Sequence, residues 1–241
     1  MSTPTPSPAP SDDPRAAPLT VRRLRGRWKP IKEGPAAAAA HEPIRIRLHR
    51  CFSWMQRAEH VAASDDADAA LDAILLYRWT ALNALYGRWD RERREPMGDR
   101  QTLSAFGDRI LAADADGRIP AMLATNRGLL EKLVGNRFLM RHYWAEPEFD
   151  AVRTTRSAER KIREALREQR HPRVLFDVLQ RVYFLRCQLV HGAATFNGRQ
   201  NRTPVRHAAR FLELLLPEVA LVVIDHAWTQ DWDDLCYPPA G

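Results

Sequence analysis

The chain has 241 residues, long enough for one sizeable apolar core, with 45% hydrophobic and 28% charged side chains. Its formal charge of +7 comes almost entirely from arginine, the lysines being Lys29, Lys32, Lys132 and Lys161, and a basic balance favours polyanionic partners, nucleic acid first. Cys51, Cys187 and Cys236 are scattered without a C-x-x-C pair, which argues against a disulfide framework or zinc site and for a reducing compartment. Arginine is also the basic residue that GC-rich genomes favour, so charge alone does not select the partner.

Residues 1–40 are rich in Pro, Ser, Ala and Thr, which predicts a disordered tail. Within it the run 21–29 is basic with a single aromatic, Trp28, and reads either as a solvated tail or as a segment that holds a nucleic-acid backbone. From Ile44 to the C-terminus the pattern predicts one helical domain, residues 41–241, with no internal repeat. A first helix is expected over 44–63. Ser64, Asp65 and Asp66 are expected to cap a second, over 67–89. Further helices are predicted at 101–113, 121–138, 172–191 and 203–228, the last kinked or divided at Pro217. The span 144–170 reads as a charged insertion, irregular at first and then an exposed helix from Ser157 to Gln169. No apolar run is long enough to cross a membrane, the longest (211–224) being interrupted by Glu213, Pro217 and Glu218. No leader pattern opens the chain, so a cytoplasmic protein is expected.

The helix at 172–191 carries the sequence's densest chemistry. At about 100° per residue, Leu175, Val178, Leu179, Val182, Leu185 and Leu189 form one apolar stripe, and Arg186 falls inside it. An arginine there must be paired or must open onto a cleft. His191 lies on the opposite side with Phe176, Phe184 and Cys187, so the helix is apolar on two faces and needs deep burial or a second packing partner. Arg186 and His191 are therefore not stacked neighbours. To act together, the helix must end at Gly192, or groups from two chains must converge. Arg186 holds phosphate with a planar fork, and His191 exchanges protons near neutrality.

The passage Tyr183-Phe184-Leu185-Arg186-Cys187-Gln188-Leu189-Val190-His191-Gly192 resembles the R-x4-H signature of HEPN domains, an all-helical superfamily rich in ribonucleases. The segment Trp79-Thr80-Ala81-Leu82-Asn83-Ala84-Leu85-Tyr86-Gly87 is similar to the early helix of the larger, Apea-like members. The resemblance covers residues 44–228. It implies an all-α, up-and-down bundle of HEPN type that dimerises so that two motif helices face a cleft. It further implies RNA cleavage by 2′-hydroxyl attack on the adjacent phosphate with no cofactor or metal, Arg186 and His191 being catalytic. Asn83, Tyr86 and Asn197 are candidates to position the phosphate or the histidine, and equally candidates for interhelical bonding and a turn. Cys187 stands where active members often carry a polar residue, and Ala193 where the toxin branch often carries tyrosine.

Three functions follow as alternatives. The first is a metal-independent endoribonuclease in a toxin or defence role, with RNA as substrate, a homodimer as the working form and an antitoxin or regulatory protein as partner. The second is a non-catalytic RNA-binding or protein-interaction module that retains the motif. The third is a helical scaffold in which Arg186 pairs with a buried carboxylate.

Overall fold

The computed structural model describes residues 19–34, 41–146 and 150–237. The fold is all-α: ten α-helices among the described residues, with one two-stranded hairpin of Trp89–Asp90 and Glu95–Pro96. In chain order the helices are α1 (Val21–Glu33), α2 (Glu42–Ala62), α3 (Leu71–Tyr86), α4 (Asp99–Ala113), α5 (Arg118–Thr125), α6 (Arg127–Val134), α7 (Arg141–Ala145), α8 (Ala151–Arg167), α9 (His171–Val190) and α10 (Arg199–Val222). A 3-10 turn, Arg137–Leu139, precedes α7, and a π-helical turn, Val223–Ala227, extends α10.

Helix α3 is the central element. Ile74, Leu75, Trp79, Leu82 and Leu85 are buried on it, and α2 and α10 pack along its sides. A helix apolar all round belongs inside a bundle. Helix α9 lies against α4, α6 and α8, burying Val174, Leu175, Val178, Leu179, Val182 and Leu185. That is the stripe the spacing predicts, with Leu189 partly buried at its end. One continuous apolar cluster joins all these layers, from Val21 to Trp232.

The chain departs from the sequence expectation in several places. Part of the stretch expected to be a disordered tail is α1, docked on α2 through Val21, Leu24 and Trp28. Their i, i+3, i+7 spacing makes a helical stripe that the surrounding Pro/Ala-rich composition conceals. Residues 1–18 and 35–40 of that expectation lie outside the described residues. Ser64 and Asp66 do not cap the second helix, which begins only at Leu71, and Asp72 supplies the negative charge in its first turn. The helix expected over 121–138 breaks at Asn126, whose side-chain amide donates to the Met122 carbonyl and competes with the helical ladder.

Within the span 144–170, α8 is not fully exposed: it buries Ile162, Ala165 and Leu166 against α6 and α9 and turns its charges outward. Residues 147–149 of that span lie outside the described residues. Helix α10 runs unbroken through Pro217, with an α-helical turn on each side. No helix among the described residues is long and apolar enough to cross a membrane.

Candidate functional site

The end of α9 is built to stop. Gly192 has φ +70° and donates to the Leu189 carbonyl, while Ala193 donates to Gln188, at 3.2 and 2.9 Å. This pair of bonds is a Schellman motif, and it requires the left-handed conformation that glycine adopts freely. His191 is the C-cap residue, exposed, and its ring forms no hydrogen bond or ion pair among the described residues. The helix thus ends where the sequence predicts, and it ends with the imidazole in solvent.

Arg186 lies one turn back and has a different environment. Its side chain is one-quarter exposed, with Nη1 3.9 Å from Asp99 Oδ2 and 3.9 Å from the sulfur of Cys187. Neither contact is a close hydrogen bond. The guanidinium lines an open cleft of about 570 Å³ whose walls include Trp54, Trp79, Asn83, Val190 and Tyr237. The indole N–H of Trp79 is buried and has no partner among the described residues.

Asn83, Tyr86 and Asp99 form a small polar network beside this cleft. The Asn83 amide donates to the Tyr86 oxygen (3.2 Å) and to Asp99 Oδ1 (3.4 Å), and the Tyr86 hydroxyl donates to the same Asp99 oxygen (3.2 Å). Burial, reinforced by the Asp99 carboxylate, pushes the Tyr86 phenol far above its usual range, so it stays a neutral donor. Burial, with Cys187 alongside, also raises the Tyr183 phenol, whose ring lies 5.9 Å from that of Trp79. Asp99 is the residue that reading the sequence missed. It stands on α4, and only the tertiary contact of α3, α4 and α9 brings it to Arg186.

The C-terminal segment forms the outer wall. Arg47, 1% exposed, donates to four carbonyls, those of Leu85, Gly87, Trp232 and Asp234. Burial lowers its guanidinium to about 10, which still leaves it cationic at neutral pH. Arg50 donates to the Cys236 and Tyr237 carbonyls. At Gly87 an added Cβ would lie 2.9 Å from the Asn83 carbonyl oxygen and 3.2 Å from Cys236 Cβ, so this close approach needs glycine.

Of the residues singled out in the sequence, Arg186 and Asn83 share the cleft, Tyr86 joins Asn83 beside it, and Cys187 touches Arg186. Asn197 is elsewhere. It is a turn residue at φ +54° whose backbone N–H donates to Asp72, about 16 Å along α3 from Asn83. His191 follows Val190, a wall residue, but is not itself among the residues lining the cleft. Asp116, Asp225 and His226 could in principle converge on a cation, yet Arg27 grips Asp225 with two bonds of 2.6 and 2.9 Å and Arg118 pairs with Asp116 at 2.9 Å. That grouping is an ion-pair network tying α1 to the end of α10. No protein-family model, curated protein or solved structure matches this chain.

Proposed function

We propose that the protein is a metal-independent endoribonuclease of HEPN type, acting in a toxin or defence role. One observation carries the reading: a weakly paired arginine, Arg186, lines an open cleft at the end of a helix whose next cap residue is a solvent-facing histidine. A guanidinium 3.9 Å from its carboxylate can turn to a phosphate at little cost, whereas one held in a close bidentate pair cannot. The resemblance of 183–192 to the R-x4-H signature supports the same assignment.

In this reading Arg186 holds the scissile phosphate and stabilises the charge that develops on it. His191 removes the proton from the adjacent 2′-hydroxyl or delivers one to the departing 5′-oxygen. The requirement for a 2′-hydroxyl makes RNA the substrate. Because the histidine does not line its own cleft, the working site in this reading is composite: the His191 of a second copy approaches Arg186 across a homodimer. Exposed Val190 and Phe196 supply apolar surface for that contact.

The exposed histidine also favours the second reading, a non-catalytic RNA-binding or protein-interaction module, since Cys187 is a weak hydrogen-bonding group at the motif's centre. Incubation of wild type and His191→Ala with total RNA in EDTA separates the two. The ribonuclease cuts in chelator and leaves cyclic phosphate ends, and His191→Ala loses about 10²–10⁴ in rate. Cutting that needs a divalent metal, or a variant that cuts like wild type, overturns it.

A further inference from the structure

Helices α1 and α2 enclose a groove of about 610 Å³ on the face beside the cleft. Arg25, Lys29 and Lys32 enter it from α1, and Arg45, His49 and Arg50 from α2, opposed by Glu33 and Glu42 alone among the lining residues. The three α1 cations recur at i, i+4 and i+7, which sets them on one face of the helix, flanking the stripe of Val21, Leu24 and Trp28 that holds it to the bundle. Arg25, Lys29, Lys32 and Arg45 are exposed and form no ion pair among the described residues. Elsewhere on the surface Arg27, Arg163, Arg173, Arg206 and Arg210 have carboxylate partners within 3 Å, whereas the groove gathers its cations around two glutamates.

Arg50 belongs to both walls. It lines the basic groove and also the cleft that contains Arg186, so the two depressions share an edge. At the cleft mouth stand two exposed aromatics, Trp54 (39% exposed) and Tyr237 (65% exposed). A row of unpaired cations leading to exposed aromatic faces has the make-up of a single-strand binding surface, where cations follow the phosphates and rings stack the bases.

We infer that the α1–α2 groove is a binding track for single-stranded RNA, which passes Arg50 and enters the Arg186 cleft with a base against Trp54 or Tyr237. The direction of the track rests on the ribonuclease reading, but the binding surface does not. A duplex suits the site less well, since the aromatics offer a duplex no unstacked base. The cations neutralise phosphates regardless of sequence, so the track predicts broad sequence tolerance and strong salt dependence.

The test is fluorescence anisotropy with labelled 2′-O-methyl oligouridine of about 20 nucleotides, which this chemistry cannot cleave. Arg25→Glu/Lys29→Glu/Arg45→Glu is compared with Arg153→Glu/Arg160→Glu/Lys161→Glu on the outer face of α8, which changes the net charge equally. Circular dichroism establishes that both fold. The groove variant is expected to bind about tenfold or more weaker and to flatten the salt dependence by about 2 log units per log unit, while the α8 variant stays close to wild type. Equal loss in the two variants overturns the inference, since net charge then accounts for binding. So does a wild type that sediments with phosphatidylserine-containing vesicles but leaves the RNA free. A wild type that binds RNA through the groove yet cuts nothing supports the track and overturns only the nuclease.

Discussion

Arg47 and Arg186 both project from apolar helix faces, and the fold treats them in opposite ways. Arg47 is sealed in and spends its donors on four backbone carbonyls, which joins α2 to the C-terminal segment. Arg47→Met leaves those acceptors unpaired, at a cost on the order of 3 kcal/mol or more. For a chain of this size the Tm should fall by about 6–12 °C, which a thermal melt followed by circular dichroism will measure. Arg186 keeps a quarter of its side chain in solvent and has only long contacts, to Asp99 and to the Cys187 sulfur. Arg186→Ala should leave the Tm within about 2 °C while abolishing RNA cleavage, and Arg186→Lys should fail to restore it because a point charge lacks the bidentate fork. A large loss of stability in Arg186→Ala would reduce the arginine to a scaffold. His207 gives a pH signature at the same scale. Burial, with Lys132 and Arg206 nearby, lowers its folded-state value below the ordinary 6.5, so the unfolded chain binds its proton first. Stability should therefore fall as pH drops below about 6.5, and His207→Gln should remove part of that dependence in urea melts at pH 7.5 and 5.5.

At the scale of the element, α1 and the end of α9 repay attention. Helix α1 buries Trp28 to 6% exposure and links Arg27 to Asp225 at the far end of the fold. Trp28→Ala should cost about 3–5 kcal/mol, and removal of residues 1–34 should lower the Tm by more than about 6 °C. A deletion that melts like the full chain would show α1 to be dispensable. At the end of α9, Gly192 holds a left-handed conformation in the Schellman stop. Gly192→Ala should destabilise by about 1–2 kcal/mol, and in the ribonuclease reading it should slow cleavage further by displacing His191. Melting and cleavage rates measured on the same preparation separate the two effects.

For the whole molecule, the question is what covers the surface around Val190 and Phe196, which are 53% and 73% exposed. A homodimer through this face completes the composite site and should bury more than about 1,000 Å². Light scattering at tens of micromolar, by order of magnitude, should report twice the mass of the chain, and Val190→Glu/Phe196→Glu should return it to one. A wild type that is monomeric at that concentration removes the composite site, and with it the expectation that His191 from one copy serves Arg186 of another.

Local chemistry made much of this legible in the sequence. The α9 stripe, the glycine stop at Gly192 and the all-helical character all follow from periodicity and backbone preference, which act within a few residues and need no tertiary partner. Composition read over a wide window misled at α1, because the Pro/Ala-rich flanks diluted a 13-residue helix whose stripe is clear only at helical spacing. The exclusion of Asn197 from the cleft, the arrival of Asp99 beside Arg186 and the edge that Arg50 shares between groove and cleft are of another kind. Each depends on how α2, α3, α4 and α9 cross, and residues many turns apart meet only when the core between them has packed. The sequence by itself determined which side chains are available; the tertiary structure decided which share a cleft, because burial and proximity are properties of the packed bundle and not of any single helix.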